Sequence, residues 1–194
     1  MTPFIAKLVW WAGITGWYAI RYPHQRRSRK TPIAWRVEPT RDGILLAISF
    51  AGLFILPVTY VTAGEPRLAD YPFHPLLAWF GAVVFAAALI GFYLAHHDLG
   101  RFWSVTLEIR QTHRLVTTGV YRHVRHPMYA AFFLWAVAQA LLLPNWIAGP
   151  AGLVGFGILF GLRVGREEQM MEATFGDAYR AYAARTWRVV PGLF

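Results

Sequence analysis

Two stretches of this chain carry polar side chains in an order that suits binding of a charged or flat ligand. The first, His113 to Tyr129, reads HRLVTTGVYRHVRHPMY and runs straight into an apolar segment. Pro127 suits the first turn of a helix, because its missing N–H has no intrahelical acceptor there. His126 then falls near the cap, and the helix end presents free N–H groups and a positive dipole to an anion such as a carboxylate or phosphate. Gly119, between Thr118 and Val120, suits a left-handed or tight turn that leaves Leu115 and Val116 extended. The plainer reading is a capped helix with Tyr121 and Tyr129 as interfacial anchors.

The second stretch is Arg163 followed by Glu167 and Glu168. Arg163 and Glu167 are four residues apart and share a helix face, so a surface ion pair is the simple alternative. Arg163 lies at the edge of an apolar run, however, where a guanidinium is costly unless partnered. Its planar fork matches a lipid-borne carboxylate. Further on, Glu172, Phe175, Tyr179 and Tyr182 recur at helical spacing around Gly176-Asp177. That pattern reads as a short amphipathic helix over the site, or equally as a tail packed beneath the bundle.

Metal chemistry is not expected. His96 and His97 are adjacent and point apart on a helix, and His123-x-x-His126 runs into Pro127. No carboxylate or thiol supplies the usual ligand spacing. With Cys 0, disulfide scaffolds and thiolate sites are excluded.

The elements that hold these stretches are apolar. The chain has 194 residues, hydrophobic residues are 56% and charged residues only 15%, against about 25% charged in ordinary soluble domains. Five segments approach the ~20 residues that span a bilayer: Leu8–Ile20, Gly43–Ala63, Pro75–His96, Met128–Leu143 and Trp146–Leu162. Pro144-Asn145 separates the last two and predicts a tight helical hairpin. The expected fold is an all-α polytopic bundle of five transmembrane helices forming one domain over 1–194, with three N-terminal helices in 1–97 and the binding part in 98–194.

If the five segments alternate across the membrane, 17 of the 19 Lys and Arg residues lie on one side. The positive-inside rule then places the N-terminus outside and the C-terminus in the cytoplasm. The net charge of +9 is explained by topology and anionic headgroups, so nucleic acid is not an expected partner.

The string GVYRHVRHPMY, preceded by HRLV and followed by Arg163-x-x-x-Glu167-Glu168 and FGDAYRAY, resembles the isoprenylcysteine carboxyl methyltransferase family. The match runs from about Asp98 to the C-terminus. The resemblance implies an integral membrane enzyme that uses S-adenosylmethionine, without metal, to methylate the carboxylate of a lipophilic acceptor such as a prenylated cysteine. It implies that His113, Arg114, Leu115 and Val116, Tyr121, the His126-Pro127-Met128-Tyr129 element and Glu167 hold the cofactor. Arg163 is implied as the residue on the acceptor carboxylate, with Glu108 an additional polar candidate. Met128 stands where a serine is frequent in the family. Methylation of a phospholipid or other lipophilic amine is the alternative within the same fold. A nicotinamide-dependent lipid reductase and a non-catalytic membrane protein are alternatives of other classes.

Overall fold

A computed structural model describes residues 1–28, 33–36, 39–100, 108–110 and 114–192. In chain order these form α1 (Pro3–Ser28), β1 (Ile33–Arg36), α2 (Pro39–Phe50), α3 (Leu56–Ala63), α4 (Pro75–Leu99), β2 (Glu108–Arg110), α5 (Pro127–Leu142), α6 (Ala151–Phe175) and α7 (Asp177–Ala183). The chain is thus predominantly helical, with one departure from an all-α fold. β1 and β2 pair antiparallel, with Trp35 opposite Ile109 and Arg36 opposite Glu108.

The helix ends follow local chemistry. Pro75 and Pro127 open α4 and α5, where a missing N–H costs nothing. Gly100 and Gly176, at φ of 56° and 54°, end α4 and α6. Two helical stretches, Thr40–Ala63 and Pro75–Leu99, are long and apolar enough to cross a membrane, and α5 is a shorter apolar helix. α6 begins at Ala151 rather than Trp146, and it continues through Phe175, well past Leu162. The late start is caused by Asn145. Its Oδ1 accepts from the amides of Ile147 and Ala148 at 3.0 and 2.8 Å, and its Nδ2 donates to Pro66 O and Asp70 Oδ1, both at 2.8 Å. These bonds hold the chain in a turn before the helix starts.

α4 packs along α1 and α5, while α2 packs along α6. The core between them is aromatic: Trp135 lies 5.2 Å from Trp17 and 5.8 Å from Phe85, and Phe92 meets Phe132 edge-on at 4.6 Å. α5 and α6 meet through Phe133 and Phe156 at 5.0 Å.

Between α2 and α3 the helix widens to a π turn over Ala51–Ile55, in which the Leu56 amide donates to Ala51 O, five residues back. In this register the next donor, for Gly52 O, is Pro57, which has no N–H. Gln139 of α5 supplies the missing donor. Its Nε2 reaches Gly52 O at 3.1 Å, Ala148 O at 2.9 Å and Gly149 O at 3.2 Å. Gly52 in turn lets Ala151 O approach so closely that a Cβ would overlap it. The small residues that permit close packing of α6 are therefore Gly152 and Gly155. Gly157, Gly161 and Gly165, which are also spaced for packing, face open space.

Gln139→Leu removes the donor that these buried carbonyls share. It is expected to destabilise the protein by about 1–3 kcal/mol, read as a lower thermal midpoint in detergent.

Candidate functional site

The approach to α5 is shaped by Asp98, at the end of α4. Its Oδ2 accepts from the Val120 amide at 2.8 Å, and it sits where a side chain on residue 119 would project. Gly119, at φ 59°, is therefore required both for its backbone and for its missing Cβ. A single 3-10 turn follows over Gly119–Arg122 and buries Tyr121. Burial among neighbouring groups, with the Glu167 carboxylate next in weight, pushes the Tyr121 phenol far above its ordinary pKa.

The C-terminal segment then adds itself to the loop as a short parallel ladder. Trp187 N donates to His123 O at 3.0 Å, Arg125 N to Trp187 O at 2.8 Å and His126 N to Arg188 O at 3.0 Å. α7 is tied to the same loop, because Tyr182 donates its hydroxyl to Tyr121 O at 2.8 Å. The segment after α6 thus covers the loop, with Tyr179 and Tyr182 turned inward and buried.

His126 is the N-cap residue of α5, and its side chain makes no capping hydrogen bond. Ala130 N is the first amide to bond back, to His126 O at 3.2 Å. The amides of Met128 and Tyr129 precede that bond and lie in the positive end of the helix dipole.

α6 brings three charged groups to this end. Tyr129 donates its hydroxyl to Glu167 Oε2 at 2.6 Å. Glu168 turns the other way and accepts from Arg125 Nε at 2.7 Å, His126 Nε2 at 3.2 Å and Arg188 through both Nε at 3.0 Å and Nη2 at 2.7 Å. Burial raises the Glu168 pKa, but the bonds from His126, Arg188 and Arg125 outweigh it and hold the carboxyl well below the ordinary 4.5. One turn back, Arg163 is buried beside Asp42 of α2, Nε to Oδ1 at 3.4 Å. In place of the surface ion pair that the spacing offers as the simple alternative, Arg163 lies against Asp42 and Glu167 accepts from Tyr129.

A depressed folded-state pKa stabilises the protein above the unfolded value and loses that contribution as pH falls through the folded value. For Glu168 the contribution is complete above 4.5 and declines below it. Glu168→Gln is therefore expected to lower thermal stability at neutral pH, with the gap from the parent protein narrowing below about pH 4.5. A series of unfolding scans across that range checks it.

Of the residues singled out in the sequence, His126, Tyr129 and Glu167 converge, with Arg163 one helical turn from Glu167. Tyr121 lies on the same loop, Pro127 is buried, and Met128 packs against the apolar core. Arg114 is exposed, and Leu115 and Val116 are half-buried on irregular backbone. His113 lies outside the described residues, and Glu108 is placed only by its register on β2 opposite Arg36. Asp42, Asp98, Glu168, Arg125 and Arg188 also shape the site. Asp42 had one readable signal: a carboxylate at the start of an apolar run needs a cationic partner.

Residues 79–173 match the family described as Isoprenylcysteine carboxyl methyltransferase (ICMT) family. The protein-S-isoprenylcysteine O-methyltransferase of Dictyostelium discoideum is 32% identical over 123 residues, covering 60% of this chain and 50% of that protein. The probable protein-S-isoprenylcysteine O-methyltransferase of Oryza sativa subsp. japonica is 31% identical over 149 residues, covering 76% of this chain and 75% of the rice protein. This chain spans about half the length of the Dictyostelium relative. A solved structure of the eukaryotic intramembrane Ras methyltransferase ICMT superposes with a TM-score of 0.51 at 25% identity, over 81% of this chain and 54% of that one. The matched residues include the whole of α5, the loop before it and the Arg163–Glu168 turn of α6, which is where the polar groups meet. With that overlap and the extended likeness to the rice protein, the chain belongs to the isoprenylcysteine carboxyl methyltransferase family.

Proposed function

We propose that this protein transfers a methyl group from S-adenosylmethionine to the carboxylate of a lipophilic, isoprenylcysteine-like acceptor at the cytoplasmic membrane boundary. The observation that carries the reading is the meeting of the first turn of α5 with the Arg163–Glu168 turn, through the 2.6 Å bond from Tyr129 to Glu167. Family membership supplies the reaction class.

The residues fit the methionyl end of the cofactor. The amides of Met128 and Tyr129, which precede the first bond of the helix, suit its carboxylate, and Glu167 suits its ammonium group. His113, Arg114, Leu115, Val116, Tyr121, His126 and Pro127 complete the proposed cofactor site, with Glu108 an additional candidate. When bound, S-adenosylmethionine supplies an electrophilic methyl on a sulfonium.

An acceptor carboxylate is ionised near neutral pH, so no general base is needed. Arg163 orients it, and Asp42 holds Arg163 by its Nε side. The helices exclude water and retain the acceptor's lipid tail, leaving in-line positioning and desolvation as the protein's contribution.

The same reading places one integral domain in the bilayer, with α1, α2–α3, α4, α5 and the part of α6 up to Leu162 as five spans and α5–α6 as a hairpin. It puts the N-terminus outside and the C-terminus in the cytoplasm. Support comes from the apolar side chains turned outward on these helices, among them Ile44, Phe50 and Ile55 on the second span and Leu76, Trp79, Phe80 and Ile90 on α4. A surface of that kind suits lipid rather than water.

The test is incubation of detergent-purified protein with methyl-labelled S-adenosylmethionine and a farnesylcysteine acceptor. Alkali-labile label on the acceptor is expected. Alkali-stable label on an amine lipid, or failure to bind S-adenosylhomocysteine in a calorimetric titration, would overturn the reading.

A further inference from the structure

Glu168 is the most heavily bonded carboxylate among the described residues, yet it takes no part in the contact between Tyr129 and Glu167. It joins three separate pieces of chain: Arg125 and His126 before α5, its own helix, and Arg188 of the C-terminal segment. Arg125 is locked further by its Nη1, which donates to Thr186 O at 2.5 Å. A carboxylate held ionised between two guanidiniums only accepts hydrogen bonds. The 3.2 Å contact from His126 Nε2 to Glu168 Oε1 therefore requires a proton on Nε2.

A neutral imidazole carries one N–H, which leaves Nδ1 as a lone pair. That nitrogen faces Glu167 Oε1 at 3.8 Å, beyond hydrogen-bond range. Glu167 Oε2 is already engaged by the Tyr129 hydroxyl. In that form two acceptors, Nδ1 and Glu167 Oε1, face one another without a donor between them among the described residues, and the ring is buried, at 6% exposure.

We propose that Glu168 is a positioning residue that fixes His126 as the Nε2–H tautomer, so that His126 Nδ1 and Glu167 Oε1 together accept from one cationic N–H donor of the ligand. This rests on the functional reading above, in which the donor is the ammonium group of the cofactor. It also makes the C-terminal segment part of the site, because Arg188 and the carbonyl of Thr186 hold Glu168 and Arg125 in register.

Two measurements test it in the full-length protein in detergent. The first is the nitrogen-15 spectrum of the His126 ring at neutral pH, which needs no ligand and distinguishes protonation at Nε2 from protonation at Nδ1. The Nε2–H neutral pattern is expected in the parent protein, with mixed tautomers in Glu168→Ala and recovery of the parent pattern in Glu168→Gln. A parent ring protonated at Nδ1, in neutral or cationic form, overturns the assignment, as does a pattern unmoved by Glu168→Ala.

The second is calorimetric affinity for S-adenosylhomocysteine in two variants of His126, which remains interpretable where Glu168→Ala fails to fold. Asparagine places an acceptor near the position of Nδ1, whereas glutamine reaches the position of Nε2 and preserves only the contact with Glu168. The Asn variant is expected to bind more tightly than the Gln variant, which should lose about 10- to 100-fold, the effect of losing one hydrogen bond to a charged group. The reverse order would mean that His126 acts only as a structural tie to Glu168. Should the parent protein bind no S-adenosylhomocysteine, the functional reading fails, while the tautomer spectrum still decides the role of Glu168.

Discussion

Replacing Arg163 by methionine together with Asp42 by asparagine is expected to abolish carboxyl methylation while leaving a folded protein that still binds S-adenosylhomocysteine. The paired substitution matters because Arg163 and Asp42 are both buried, at 6% and 4% exposure. Removing one member of a buried ion pair costs about 3–5 kcal/mol. Arg163→Met alone is accordingly expected to lose stability and activity together, which by itself says nothing about the acceptor. The double variant removes both charges of the pair and keeps the volume, so part of the stability recovers. The acceptor carboxylate then loses two charge-assisted bonds of about 1.5–3 kcal/mol each, a fall of roughly 10²- to 10⁴-fold in kcat/KM. Thermal scans, cofactor titration and acceptor kinetics on the parent, both single variants and the double variant separate the two effects. Equal loss of cofactor and acceptor binding in the double variant would reject the proposed division between Arg163 and Glu167.

Gly119→Ala is the second substitution expected to have a large effect. Residue 119 sits at φ 59°, a backbone region that costs an L-residue about 1–2 kcal/mol. The added Cβ also falls on the Asp98 carboxylate and must displace it from the Val120 amide. That charge-assisted bond is 2.8 Å long and its loss adds about 1.5–3 kcal/mol. The combined destabilisation, about 2.5–5 kcal/mol, falls on the turn that carries Tyr121 and leads into His126, so cofactor affinity should drop with stability. In an Asp98→Ala background the same change should cost only the backbone share. Simple additivity of the two substitutions in a double-mutant cycle would show that no such contact exists.

The parts of this protein that could be read from its residues are those governed by local rules. Pro127 marks the start of α5 because a residue without an N–H is tolerated only there, and Gly119 marks a left-handed turn because no other residue adopts it as cheaply. Long apolar runs identify the helices, since water rejects them wherever they sit in the chain. The family motif placed Tyr129 and Glu167 in one site, and the 2.6 Å bond between them is consistent with that placement.

Partner choice across the fold was not legible, because one residue's sequence neighbours do not reveal what meets it from another helix. Arg163 and Glu167, at ideal spacing for an ion pair, instead turn to Asp42 and Tyr129, since burial rewards partners that arrive from α2 and α5. Glu168 reads as an ordinary neighbour of Glu167, yet the twist of α6 points it at Arg125, His126 and Arg188. Gly157 and Gly161 carry a packing pattern but face outward, while Gly155 meets α2 and Gly152 meets Leu53 and α5. Helix rotation settles such matters, and it is set by the fit of whole faces, from the π turn before Pro57 to the Asn145 turn, rather than by any short run of residues.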